Sequence, residues 1–448
     1  MQRKIFIDTK VILITRMVKR ILTIGLLSCA ISESKASDTL RTSLDDIISK
    51  ALLNSKQIEQ SHLQIGERNL AVKQQQMELL PEISLRGSAS YATNMPIYDQ
   101  GIFNKPSQHD VIHYLYDTGV DFYLNLYNGH KDLMKIESRK LEQVLASIEW
   151  SNDKALIKLE VCNLFLELER SYMDKALIES DIIDQKAQIK EINDLYHSGV
   201  VLHSDVLRME LELSKREMLL IQIVHDIQAL NQKLKFIIDV DAEIIPIPHD
   251  FKLTVESYDD AWSYAKHHAF SLQKSEEEVI LKQLAIKQSQ ANYLPELSLI
   301  GNFTFANPQI MLYPYNNSWY NLGIVGLKLK IPISSIYRNK QLVQEAKISL
   351  EREQVRHHLE EEKMQNQLLQ AHLDYKLACV QRDVCMKNVG LATENARIIK
   401  NRYFKSSALV TDLLDADMEH LKTLFELETA KIAIQKHYYF IEFLKGTI

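Results

Sequence analysis

The stretch LLPEISLRGSASY at 79–91 returns as YLPELSLIGNFTF at 293–305, at a constant offset of 214. Each copy is a proline followed by alternating polar and apolar residues. Laid over each other without a gap, 43–91 and 257–305 agree at 17 of 49 positions, with Pro81 on Pro295, Asp45 and Asp46 on Asp259 and Asp260, and LAVKQQQ on LAIKQSQ. A second match, at an offset of 207, sets YHSGVVLHSDVL (196–207) on YFKSSALVTDLL (403–414). Chance likeness between amphipathic helices does not hold helix, proline and strand in one register. The chain is therefore expected to be two copies of a unit of roughly 200 residues, a period far longer than that of a solenoid. The units are placed at 43–256 and 257–448.

Each unit reads in the same order. A helix is predicted at 43–78 and again at 257–292. Ser43 and Ser257 are placed as N-caps, with paired aspartates in the first turn to favour the helix dipole. Pro81 and Pro295 stop these helices. Strand pairs follow within 82–127 and 296–331, then helical hairpins at 131–238 and 335–445. The segment 131–198 is helical throughout in this reading and spans on the order of 100 Å, too long for a compact domain. Its apolar residues Val161, Phe165, Leu168, Tyr172, Ala176 and Ile183 recur at threes and fours, the spacing of a coiled coil.

The strand segments alternate with period two. Leu85, Gly87, Ala89 and Tyr91 share one face, and Ser84, Arg86, Ser88 and Ser90 the other. The repeat has Leu299, Gly301, Phe303 and Phe305 against Ser298, Ile300, Asn302 and Thr304. Val120, Phe122, Leu124 and Leu126 alternate at 119–127, and Val325, Leu327, Leu329 and Ile331 at 321–331. A half-buried soluble sheet alternates in the same way. Strands of about ten residues also fit an outer-membrane barrel, and two further features favour it. The connections at 92–117 and 306–319 are long and rich in Tyr, Asn and Pro. Moreover, MVKRILTIGLLSCAISESKA from Met17 has the basic start, short apolar run and small-residue site of a secretory signal, with cleavage after Ala36. Its rival is a lipobox at LLSC with Cys29 lipidated. Four strands cannot close a barrel, so copies must share one. Eight strands are filled by their own side chains, which favours three copies and 12 strands.

No run reaches the 18 apolar residues of a membrane helix. A formal charge of -6 argues against a nucleic-acid partner. Without Cys29 the cysteines are Cys162, Cys379 and Cys385, an odd number expected to be buried structural thiols. No P-loop, GxGxxG, GxSxG or HExxH is present, and no enzyme activity, cofactor or metal site is expected. His109 and His113 would need a helix and further ligands to hold a metal.

Taken in order, the signal, the helix, LLPEISL, the strand pair, the long helix and YHSGVVLHSDVL, all repeated with LKIPI (329–333) and YFKSSALVTDLLDAD (403–417), resemble the TolC-like outer-membrane efflux proteins. The resemblance covers about 43–448, nearly all of the expected mature chain. It implies a mainly helical fold with transmembrane β. Four strands per chain would enter a homotrimeric 12-stranded barrel in the outer membrane, continued by a periplasmic α-helical barrel of coiled-coil hairpins. It implies an exit duct for a tripartite efflux or type I secretion system, a passive conduit gated at its periplasmic tip and met there by a periplasmic adapter and an inner-membrane pump. The tip turns are then Gly199, Val200 and Val201, and Ser406, Ser407 and Ala408. Asp412 and Asp415 match the family's acidic ring, and Tyr403 and Asp205 match two partners in its closing lock. The chain departs from the family at Ser406, where Gly is frequent, and at Ala408, where the best-known member has an arginine, so the lock is weaker or differently built. The competing reading is a periplasmic coiled-coil scaffold or adapter without a barrel. The cargo leaves no mark in the sequence.

Overall fold

The structure, a computed structural model, describes residues 39–109, 111–247, 255–311, 314–405 and 407–448. The signal expected within 1–36, its alternative at Cys29, and Ser406 lie outside the described residues.

Where one helix is expected at 43–78, two are present: α1 (Leu44–Asn54) and α2 (Lys56–Met77). The helix expected at 257–292 is likewise divided into α5 (Tyr258–His268) and α6 (Phe270–Gln290). Ser43 and Ser257 do cap α1 and α5, each side chain accepting from the backbone N–H three residues on. The breaks fall at Ser55 and Ala269, extended residues (ψ 120° and 125°) whose N–H groups still return to Ala51 and Ala265. No Pro or Gly marks either break. At the first, Asn54 Nδ2 donates to the Ile238 carbonyl at 2.6 Å, so the bend is held by a neighbouring helix end.

The long elements are α3 (Lys131–His197) with α4 (His203–Ile238), and α7 (Ser335–Phe404) with α8 (Val410–Lys445). Each pair is an antiparallel hairpin, and α3 also packs along α8. At 67 and 70 residues, α3 and α7 are each about 100 Å long. Within α3 the expected stripe holds at Val161, Phe165 and Leu168, all fully buried, but Ala176 and Ile183 are exposed. The buried line runs instead through Ser171, Asp174, Ile178, Ile182, Gln185 and Gln188. A 3.5-residue seam continues through these polar positions, which a count of apolar residues passes over. The main core joins α1, α3 and α4 around Ile47, Phe165, Leu234 and Ile238. Beside it β1 (Thr39–Thr42) pairs in parallel with β6 (Glu243–Pro246), a small sheet the sequence reading did not anticipate.

Four strands form one antiparallel sheet in the order β2 (Glu82–Tyr91), β5 (Tyr114–Tyr127), β7 (Glu296–Asn307) and β8 (Tyr320–Lys330). β5 begins five residues before the expected 119, and a short ribbon, β3 (Met95–Ile97) with β4 (Ser107–His109), lies in the connection expected to be all loop. The register puts Leu85, Val120, Phe303 and Gly323 in one row, and Gly301 opposite Val325. One face is therefore apolar and the other polar. Leu85 and Val325 are each 79% exposed. Aromatic rings gather where this sheet meets its long connections, with Trp319 stacked on Phe305 at 4.9 Å and on Tyr116 at 6.0 Å. Prolines mark helix-to-strand passage as expected, Pro81 just before β2 and Pro295 just before β7. Among the described residues no helix is long and apolar enough to cross a membrane.

Candidate functional site

The two hairpin turns lie side by side at one end of the molecule. α3 ends in a Schellman motif, in which the Val200 N–H returns to the Leu195 carbonyl at 3.0 Å and the Gly199 N–H to Tyr196 at 2.9 Å. Gly199 has φ +75°, which favours glycine. The second turn makes the matching long return, Ser407 N–H to the Arg402 carbonyl at 2.9 Å, and the Ser407 hydroxyl donates to the same carbonyl at 3.0 Å. An apolar cluster of Ile192, Val206, Met209, Tyr403, Val410 and Leu413, with Val201 and Ala408 at its margin, binds one turn to the other.

Between the turns is a groove of about 440 Å³ lined by Val200, Asp205, Arg208, Tyr403, Ala408 and Thr411 among others. Tyr403 and Asp205 thus meet in one groove, but no hydrogen bond joins them. Tyr403 is 6% exposed, and its hydroxyl is buried without a hydrogen-bond partner among the described residues. Burial, and next the Asp205 charge, raise its pKa. Asp412 and Asp415 are both exposed on the first turns of α8. Asp412 also accepts from the Leu409 N–H at 3.1 Å, closing the start of the helix. The spacing therefore puts two carboxylates on one side of the helix, one of them committed to a cap.

A second polar group lies deeper and was not foreseen. Arg216 of α4, its side chain 4% exposed, sits 2.9 Å from Asp181 Oδ2 of α3. Its two terminal nitrogens find no hydrogen-bond partner among the described residues. Asp417 of α8 joins this cluster; burial raises its pKa and that of Asp181, and the Arg216 charge opposes both shifts. The signal was present in the spacing: Val206, Met209 and Arg216 keep one helical face. Of the cysteines, Cys162 is buried, its thiol pushed up to about 12 by burial. Cys379 and Cys385 are only half-buried, against expectation.

No family model matches the chain, and no curated protein matches it by sequence. Solved structures do. The chain superposes on CusC, whose structures concern folding and transmembrane channel formation, with a TM-score of 0.77 over 93% of this chain and 95% of that one, at 13% identity. For the outer-membrane protein VceC of Vibrio cholerae the TM-score is 0.75, covering 90% and 96% at 16% identity. For the Campylobacter jejuni outer-membrane channel CmeC it is 0.73, covering 93% and 90% at 15% identity. Likeness at such identities is one of fold, and it extends over nine-tenths or more of each chain: the chain has the TolC-like fold of the outer-membrane channels.

Proposed function

We propose that the protein is an outer-membrane duct, the exit path of a tripartite efflux or type I secretion system. The observation that carries this reading is the four-stranded sheet, apolar and exposed on one face, whose edge strands β2 and β8 each leave their outer side unpaired among the described residues. In lipid each unpaired backbone group costs several kcal/mol. Strand directions alternate across the sheet, so β8 of one copy meets β2 of the next antiparallel, and repetition closes the ring. Three copies supply 12 strands. In this homotrimer the polar face lines the passage, and the helices, arising from two units at 43–256 and 257–448, continue it through the periplasm.

The tip is the gated end and the docking end. Gly199, Val200, Val201, Ser406, Ser407 and Ala408 are offered to a periplasmic adapter, itself coupled to an inner-membrane pump. Tyr403 and Asp205 are the gate residues, and Asp412 and Asp415 form the acidic ring. A cleaved signal ending at Ala36 delivers the chain. The test is fractionation followed by planar-bilayer recording. The protein is expected in the outer-membrane fraction, released only by detergent, and conducting once reconstituted. Recovery from the periplasm without detergent would make it a soluble scaffold instead.

A further inference from the structure

Arg86 lies on the polar face of β2 and reaches across three strands. Its Nε donates to Asp117 Oδ1 at 3.1 Å, its Nη1 to the two Asp121 oxygens at 2.6 and 2.7 Å, and its Nη2 to Thr304 Oγ1 at 2.9 Å. Asn302 Nδ2 donates to Asp121 Oδ1 at 2.6 Å, and the Thr304 hydroxyl donates to Asn302 Oδ1 at 2.7 Å. Room for the guanidinium comes from Gly119, opposite Arg86 in the register. A Cβ there would stand 3.3 Å from Arg86 Nη2 and 2.6 Å from the Phe303 carbonyl oxygen.

A staple between strands needs one carboxylate for one guanidinium. Here there are two, leaving one negative charge per copy. The group is not sealed away: the Arg86, Asp117 and Asp121 side chains are 41%, 34% and 37% exposed. It is also alone at its level. Of the other charges on that face, Glu82 stands two residues on from the level of Asp121, about 7 Å along the strands, and Lys328 four residues on, about 13 Å; as one acid and one base they leave the network's surplus charge unchanged.

We propose that this Arg86–Asp117–Asp121 network, repeated in each copy, is a second charge filter of the duct, a collar inside the barrel that favours small cations independently of the periplasmic tip. It rests on the closed-barrel reading above. A ring of surplus carboxylate in a narrow, low-dielectric passage concentrates cations and repels anions. Arg86 sets how much of that charge is felt.

The experiment is the reversal potential of single channels under a potassium chloride gradient, in an Asp412→Asn, Asp415→Asn background that removes the tip's acidic ring. Cation preference should fall in the order Arg86→Gln, unsubstituted network, Asp117→Asn, then Asp117→Asn with Asp121→Asn, which should prefer anions. Each step is expected to move the cation-to-anion permeability ratio by about threefold or more. Arg86→Lys keeps the charge and loses the fork, so it should lower thermal stability and leave the ratio in place. Ser88→Lys adds a cation beside Asp117 without removing a bond, and should lower the ratio even where the other variants fail to assemble. Conducting variants that all share one ratio would overturn the collar. Absence of conductance in the unsubstituted protein would instead overturn the duct reading beneath it.

Discussion

Asp412 serves a helix and faces open solvent at once. Its carboxylate accepts the Leu409 N–H, and an asparagine oxygen still accepts there, so Asp412→Asn costs the cap only a few tenths of a kcal/mol. With Asp415→Asn it is expected to lower cation preference in single-channel recordings, and unchanged selectivity would remove the acidic ring from the account. Deeper in the helices, burial lifts the Asp174 carboxyl to about 6, against the charge of Arg170. The folded state therefore holds this proton more tightly than the unfolded chain. The stabilisation is complete below the unfolded value near 3.8 and is lost as pH rises through about 6. A shift of that size corresponds to at most about 3 kcal/mol. Asp174→Asn should raise the melting temperature at pH 8 and leave it nearly unchanged at pH 4; a variant no more stable than the parent at pH 8 would contradict this. Arg216 is the opposite case, a buried cation whose loss removes the main charge facing Asp181 and one of those facing Asp417. Arg216→Met is expected to cost about 3–5 kcal/mol, read as a drop in thermal stability, and a drop within measurement error would mean that water reaches the cluster. The acids at the start of α8 were legible in the sequence because cap and first-turn chemistry are local. The spacing of Val206, Met209 and Arg216 put Arg216 on a buried face, but the partners of Arg86 and of Arg216 were not legible, since only strand register or helix packing brings them together.

Elements were legible where a local rule fixes them. Pro81 and Pro295 mark the passage from helix to strand because no helix continues through them, and period-two alternation set the faces of β2, β5, β7 and β8. Limits were less legible where the rule weakens. β5 starts five residues early because Tyr114 and Tyr116 pair with Tyr91 and Ala89 across the sheet, a fact of register. The breaks at Ser55 and Ala269 carry no Gly or Pro and are fixed by what packs against them. The seam of α3 passes through Ser171, Gln185 and Gln188, which apolar counting skips. Where the seam is apolar its energetics are ordinary. Phe165, fully buried in the core that joins α1, α3 and α4, should cost about 3–5 kcal/mol when cut to alanine. Denaturant titration of the detergent-extracted protein checks this, and a cost under about 1 kcal/mol would show that the core refills the space.

At the scale of the molecule, one chain leaves two kinds of surface unfinished. The sheet has two open edges and an apolar face. Along α7, Leu373, Leu377, Val380, Val384, Leu391 and Ile398 are exposed at spacings of three, four and seven, a coiled-coil seam without a partner among the described residues. In the proposed homotrimer both are completed by further copies, the strands by edge pairing and α7 by a neighbour's helix. Leu377→Lys with Val384→Lys is therefore expected to weaken assembly while leaving the single chain's helicity intact by circular dichroism. The strand pattern and the unclosed four-stranded sheet are what argue for an assembly, and the number of copies proposed follows only from barrel closure and the need for an open passage. The most direct test of the whole account is the native mass of the protein extracted from membranes in detergent. The account predicts three chains, each beginning at Ser37. A water-soluble monomer or dimer that needs no detergent would contradict it.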